Sequence, residues 1–575
     1  MPRMTGTQAL VQLLRAEGAT TIFGNPGTTE SPLIDALQDA PDIKYMVTLQ
    51  EASALGMADG YARATGKPAF VQVHISVGIA NADSMLYNAF KGGTPLVVTA
   101  GQVDTHLLMQ DAILSSNQAE RTRYSKWSAE VLHTRELPMA VRRAFKMAKT
   151  PPTGPTFLSL PWNVMDEADE LNDVVPSSPG YYRVRPDVQA VEKAAALLAK
   201  AERPVMLIGD RIAQAGGMKE AVALAETLGA SVYAGSYTEV NFPTGHPQYL
   251  GGVNVGWPNQ ATRNALKDAD VVLVVGADVL PAYAYTPEPF FNPKAKIIQL
   301  DISQWDIEKK YPVEIGILAD PKAGMAELNA ALQATMNGEE QEAARSRAVT
   351  AGEGKARRKA AFQERVKATW NNPVISPERM MTELAQVMPR NAIMASEAIT
   401  SGGALMGAMD FNEPGSFYSA RGGALGWGIP GSLGVQLANP GRPVVAVVGD
   451  GASMYTIQGL WTAARYNIPV VYVICNNGSW RILREGMARY LTDTNRNPDN
   501  ELLNFSGLPL NLAKVAEGMN VEGIHVEKPQ DLKRAYERAF AAGKPVLVDV
   551  AIDDTMPTKA LQDDYRPFNP YQVTR

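Results

Sequence analysis

Short apolar runs, mostly β-branched, alternate with longer stretches rich in Ala, Leu and Glu along most of the chain, the rhythm of parallel strands joined by crossover helices. In the first third this pattern predicts a helix over 7–17, a buried strand over 21–23 and further strands over 69–74 and 96–99. Asn25-Pro26-Gly27 and Lys91-Gly92-Gly93-Thr94-Pro95 supply turns between them. The alternation resumes near Tyr181, with strands over 205–209, 271–276 and 296–300 and helices over 191–200 and 218–228. It resumes again from Ser376, with strands over 392–394, 444–448, 470–475 and 545–551. Residues 337–369 are rich in Glu, Lys, Arg and Ala with hardly any large apolar side chain, and read as a solvated helical linker. The expectation is an α/β protein of three doubly wound parallel-sheet domains at 1–180, 181–336 and 376–554, with a linker at 337–375. The polar, Pro-containing tail at 555–575 is expected either to be disordered or to fold over another element.

Composition narrows the partners. At roughly 150 residues per domain, a chain of 575 residues suggests three or four domains. A net charge of −6 leaves no basic footprint, which speaks against nucleic acid or an anionic membrane and for a small-molecule ligand. Cys475 is the only cysteine, which excludes an intrachain disulfide and a multi-cysteine zinc site and fits a reducing compartment, by expectation the cytoplasm. No run approaches the roughly 20 apolar residues of a membrane span, and the first residues lack a signal-peptide core.

The strongest chemical signal follows the strand at 444–448. Gly449-Asp450-Gly451 places an acidic residue between two glycines at the carboxyl end of a strand, where parallel sheets bind ligands. Residues 452–475 then leave room for one crossover helix before Asn476-Asn477-Gly478, which again directly follows an apolar strand. Asp450 and Asn477 are thereby expected on neighbouring strand ends, and their side-chain oxygens are hard ligands suited to magnesium shared with phosphate oxygens. Either motif alone would read as a tight turn. Asp301, which closes the strand at 296–300, stands where dinucleotide folds often meet a ribose, but no GxGxxG follows a strand there.

The spacing of Gly449-Asp450-Gly451 and Asn476-Asn477 resembles the cofactor signature of the thiamine-diphosphate-dependent decarboxylase and acetohydroxyacid synthase superfamily, and the resemblance extends over nearly the whole chain. It implies that the three domains are a pyrimidine-binding, a central and a diphosphate-binding domain. Magnesium would be held by Asp450, Asn477 and the main-chain oxygen of Ser479. Asn25, Pro26, Gly27, Gly449, Gly451, Ala452, Ser453 and Trp480 would also line the thiamine diphosphate site. The string from Thr48 to Arg63 resembles the family's glutamate helix, which assigns Glu51 to the cofactor's pyrimidine ring. In Arg421-Gly422-Gly423-Ala424-Leu425-Gly426-Trp427-Gly428, Leu425 would be the apolar wedge that bends the cofactor, and the Gly423 carbonyl would accept from its aminopyrimidine.

Within the superfamily, the benzoylformate decarboxylase branch is similar through Phe23-Gly24-Asn25-Pro26-Gly27, through Lys67-Pro68-Ala69-Phe70 leading to His74, and through Leu460-Trp461-Thr462-Ala463-Ala464 with Tyr466-Asn467-Ile468-Pro469. This implies that His74 moves protons and that a 2-oxo acid is decarboxylated non-oxidatively to an aldehyde. Three departures bear on the substrate. Thr28 stands where that branch has a serine, and Tyr283 where it has a second histidine. Trp480-Arg481-Ile482-Leu483-Arg484-Glu485 is bulkier and more charged, which makes Arg481, Ile482 and Glu485 candidate pocket residues, Arg481 for a second acidic group. The alternatives are a carboligase of the acetohydroxyacid synthase type, a 2-hydroxyacyl-coenzyme A lyase, and a non-catalytic descendant. The family builds its site between two subunits, which implies a homodimer at least and a homotetramer, a dimer of dimers, by custom.

Overall fold

In the computed structural model, which describes residues 3–180, 182–253, 259–278, 285, 290–492, 496–498, 500–505 and 507–568, the apolar runs become the inner strands of three six-stranded sheets. Every strand pair within these three sheets is parallel. Central strands such as Val271–Val275 and Val470–Asn476 are covered on both faces by helices, which is why they read as continuous rather than alternating apolar sequence.

Each sheet has a point at which successive strands change direction across it. In the first sheet the chain steps outward from Thr21–Gly24 to Lys44–Val47, then returns beside it with Ala69–Val73 and proceeds the other way through Leu96–Gln102. In the third sheet the chain steps from Ile393–Glu397 to Phe417–Ser419, returns with Val444–Gly449 and continues to Val470–Asn476. The crevices at the carboxyl ends of Thr21–Gly24 and Ala69–Val73, and of Ile393–Glu397 and Val444–Gly449, are the places where such sheets take ligands. The second sheet has a different order, with two strands, Ser231–Ala234 and Tyr249–Gly252, stepping outward from Pro204–Ile208 before Val271–Val275 returns beside it, and there the chain crosses its own switch point: Gly209 N donates to the Val275 carbonyl at 3.0 Å and Arg211 N to the Gly276 carbonyl at 3.2 Å.

Small residues decide how the first and third domains meet. The helix Glu51–Thr65 lies against Gly428–Ala438 so closely that a Cβ on Gly60 would sit 2.0 Å from the Gly431 carbonyl oxygen, and one on Gly434 1.9 Å from that of Met57. At this crossing Trp427 Nε1 donates to Asp59 at 2.6 Å, and Arg63 donates to Glu239 at 2.8 Å and to the Ser419 carbonyl at 2.9 Å. These buried charges are paired and hydrogen-bonded, as burial requires.

The stretch read as a linker is one helix, Gly338–Thr369, started by an Asn337/Glu340 capping box. It is more than a spacer, since Ala344, Ala351 and Phe362 are buried. Of the two expectations for the tail, its described part follows the second. It forms a helix, Thr558–Tyr565, and a 3-10 turn whose Phe568 stacks on Phe290 of the central domain at 6.0 Å.

Candidate functional site

At the first switch point the strand Ala69–Val73 ends one residue earlier than its apolar run suggests, and His74 becomes the N-cap of helix Ile75–Gly92. The next residue, Ile75, takes φ +47, a costly conformation for a β-branched side chain that burial at 2% exposure and the 2.7 Å bond from Gly78 N to the His74 carbonyl hold in place. The imidazole packs directly against Gly27, where a Cβ would meet His74 Nδ1 at 2.0 Å. His74 Nδ1 is 3.0 Å from Glu30 Oε2, which also accepts from Gly27 N at 2.9 Å. Glu30 Oε1 accepts from Gly101 N at 2.9 Å and from Thr29 Oγ1 at 2.9 Å. Glu30 is thus buried with every oxygen partnered, and it orients the ring. Thr28 is exposed at the start of the 3-10 turn Thr28–Glu30.

Glu51 opens its helix as expected and is buried at 5% exposure. Its Oε2 accepts from Asn81 Nδ2 at 3.0 Å, and its Oε1 faces Gly78, where a Cβ would lie 3.3 Å away. Helix Ile75–Gly92 therefore carries His74 at its start and the partner of Glu51 two turns on. Glu30 and Asn81 were not singled out by sequence reading. Glu30 has the signature of an ordinary capping residue three positions after Gly27, and only the folded chain brings it to a histidine 44 positions away.

At the third-sheet switch point, Asp450 begins a short helix immediately after its strand and is 3% exposed. Its Oδ1 accepts from Gly451 N and its Oδ2 from Gly478 N, both at 2.8 Å, so the carboxylate sits directly on the Asn476-Asn477-Gly478 loop. Burial pushes its carboxyl up to about 6 despite these amides. Asn477 Oδ1 accepts from Ser479 N at 3.0 Å and Ser479 Oγ at 3.1 Å, an Asx turn that shapes the loop. Buried acid, amide oxygen and adjoining main chain form a hard-oxygen donor set that fits magnesium. Gly451 must lack a side chain because a Cβ would lie 2.3 Å from the Trp480 ring. Ala452 and Ser453 complete the buried turn, with Ser453 Oγ bonded to the Asp450 carbonyl at 2.6 Å.

Leu425 is half-buried, and with Gly423 it lines a cavity of about 740 Å³ whose opposite walls are residues 396–399, Tyr249, Phe362 and Arg358. Glu397, another residue not singled out from sequence, stands at the end of its strand on this wall. Burial pushes its carboxyl up to about 7 although three backbone amides donate to it.

The remaining candidates sit elsewhere. Arg481 Nε faces Glu485 at 3.4 Å, and its other nitrogens donate to the carbonyls of Asp553 and Thr555 at 3.0 and 3.1 Å. In this arrangement the guanidinium clasps the start of the tail, and Glu485 is its partner. Ile482 is half-buried beside them on the helix Arg481–Tyr490. Tyr283 lies outside the described residues. Asp301, with its carboxyl raised to about 6 by burial, is bound to Arg211 at 2.7 Å over the crossed switch point of the second sheet.

The two clusters are not joined within one chain: no hydrogen bond or ion pair among the described residues links Glu51 or His74 to Asp450 or Asn477, and neither group lines the Leu425 cavity.

Three family models match in order: the N-terminal thiamine pyrophosphate binding domain over residues 4–120, the central domain of these enzymes over 191–328, and the C-terminal thiamine pyrophosphate binding domain over 400–550. Benzoylformate decarboxylase of Pseudomonas aeruginosa is 31% identical over 553 residues, covering 94% of this chain and 98% of the relative. The acetolactate synthase large subunit of Haemophilus influenzae is 28% identical, covering 96% of each. Among solved structures, the thiamine-diphosphate-dependent 4-hydroxybenzoylformate decarboxylase of Rhodococcus jostii RHA1 superposes with a TM-score of 0.82 at 27% identity, over 96% of this chain and 100% of that one. With three matched domains in order and a relative aligned over nearly its full length, this chain belongs to the thiamine-diphosphate-dependent enzyme family.

Proposed function

We propose that this enzyme decarboxylates a 2-oxo acid non-oxidatively and releases the aldehyde. The observation that carries the reading is the imidazole of His74, fixed by Glu30 at the carboxyl end of its strand. With its Nδ1–H donated to the carboxylate, Nε2 is the nitrogen that takes and returns a proton, the transfer that ends in an aldehyde. No hydrogen bond from Nε2 to a described residue competes with that task.

When bound, thiamine diphosphate supplies the nucleophilic carbon and the electron sink. The residues do the rest. Glu51, buried and with Asn81 bonded to its Oε2, would exchange a proton with the pyrimidine ring. Leu425 would support the cofactor, and the Gly423 carbonyl would accept from its amino group. Asp450, Asn477 and the Ser479 main chain would hold magnesium, which would supply positive charge for the diphosphate. Thr28, exposed beside His74, offers a hydroxyl to the substrate. The separation of the Glu51 and Asp450 clusters in one chain supports a homodimer or a dimer of dimers in which each site takes one cluster from each copy.

The similarity to acetolactate synthases favours carboligation as the competing reading, in which a second carbonyl takes the place of the proton. The holoenzyme, incubated with aromatic, branched and dicarboxylic 2-oxo acids, is expected to release carbon dioxide and aldehyde from at least one class, and His74→Ala to lose about 10²-fold or more of that rate. Acyloin as the dominant product would overturn the decarboxylase reading.

A further inference from the structure

The glycine-rich loop over 421–428 carries both Leu425 and the Gly423 carbonyl, yet its own sequence makes it pliable. Gly422, Gly423 and Gly426 take φ of +75, +104 and +109, conformations open to glycine. Something outside the loop must define it. Asn88, on helix Ile75–Gly92 and 2% exposed, donates from Nδ2 to the Ala424 carbonyl at 2.8 Å and accepts at Oδ1 from Ala424 N at 3.0 Å. One side chain therefore holds both the N–H and the carbonyl of Ala424, the residue between Gly423 and Leu425. It approaches so closely that a Cβ on Gly422 would lie 2.5 Å from Asn88 Oδ1.

On the other side, Glu397 is 2% exposed and accepts from three consecutive amides: Gly426 N at 2.9 Å and Trp427 N at 3.1 Å on Oε1, Gly428 N at 2.9 Å on Oε2. Thr456 Oγ1 donates to the Gly426 carbonyl at 2.6 Å. Leu425 is thus bracketed: the residue before it is held by Asn88 and the three after it by Glu397.

We propose that Asn88 and Glu397 are positioning residues which, acting through the loop backbone, set Leu425 and the Gly423 carbonyl against the aminopyrimidine and thiazolium of the cofactor. This rests on the proposed role of Leu425 as the cofactor's support. A backbone free to shift by about an ångström would retain the cofactor through its diphosphate but lose the geometry of its reactive carbon, a misplacement that costs on the order of 10²-fold.

The test uses the holoenzyme with thiamine diphosphate and magnesium, without substrate, and reads hydrogen–deuterium exchange at the reactive carbon of the bound cofactor by quenched proton NMR. Asn88→Ala and Glu397→Gln are each expected to slow exchange by about 10- to 100-fold while cofactor affinity changes by less than about threefold, with Leu425→Ala as reference. Asn88→Ala in the Leu425→Ala background is expected to add little, because both act on one contact. Should Glu397→Gln fail to fold, Asn88→Ala decides alone. Wild-type exchange in the Asn88 variant beside slow exchange in Leu425→Ala overturns the proposal and leaves the Leu425 reading standing. Wild-type exchange in Leu425→Ala overturns both.

Discussion

Replacing Glu30 by glutamine separates its charge from its shape. In the native chain each oxygen accepts from a backbone N–H besides its side-chain partner: Oε1 from Gly101 N and Oε2 from Gly27 N, each at 2.9 Å. A glutamine amide presents one oxygen and one NH₂, so in either orientation a buried backbone N–H faces another donor. Leaving such a donor unmade costs ~1–3 kcal/mol, which predicts a lower urea midpoint for Glu30→Gln. The activity effect is larger and separable. Placed with its oxygen toward Gly101, the amide offers an NH₂ to His74 Nδ1, which reverses the hydrogen bond and turns Nε2 from proton acceptor into donor. The expected outcome is a fall in kcat of about 10²-fold or more toward the best 2-oxo acid substrate, similar to His74→Ala, with the double variant no worse than either single. Steady-state kinetics and equilibrium unfolding on the same preparations check both halves. If Glu30→Gln keeps kcat within about twofold while His74→Ala loses 10²-fold, then Glu30 does not set the histidine, and the proton-transfer reasoning built on it is wrong.

Asp450→Asn is expected to weaken magnesium-dependent cofactor binding by more than about 100-fold in a fluorescence titration, since removing a direct ligand should exceed the 10- to 100-fold effect of outer-shell partners; unchanged binding would refute the assignment of the metal loop. Gly434→Ala places a methyl 1.9 Å from the Met57 carbonyl oxygen and should destabilise the holoenzyme by at least ~1–3 kcal/mol in thermal unfolding, whereas Gly338→Ala, with open space around its Cβ, should not. The Glu397 carboxyl, lifted by burial from its usual 4.5 to about 7, stabilises the fold fully below pH 4.5 and loses that contribution as pH rises through 7. At ~1.4 kcal/mol per unit this is a difference of ~3 kcal/mol, which should appear in cofactor-free protein as a pH-dependent gap between wild type and Glu397→Gln. A gap that stays constant from pH 4.5 to 8 would contradict it.

Much of this protein is legible in one dimension. Runs such as 444–448 and 470–475 read as strands because an inner parallel strand is buried on both faces and must be apolar throughout. The turns that follow them read as a metal–diphosphate loop because glycine, a carboxylate and an amide at crossover spacing have few other uses together. Short edge strands such as Ser128–Glu130 escaped, because Ser-Ala-Glu is too short and too polar to carry a periodic signal. Residues 337–369 read as a spacer because a helix whose buried residues are Ala344, Ala351 and Phe362 has few apolar side chains to show in sequence.

The supporting shell of the site lay beyond the sequence's reach for a different reason. Glu30 meets His74 across 44 positions, and Asn88 meets Ala424 across 336. Each of these side chains is locally unremarkable: a capping residue, a polar residue on an amphipathic helix. What brings them to the proposed site is strand order, which puts Gly24 beside Gln72 and Glu397 beside Val448 at switch points that no periodicity encodes. Hydrophobic pattern is a local property and determines which segments are strands and helices; the hydrogen-bond partners of a buried polar group are set only when those segments pack, and that is where the tertiary structure decided the site.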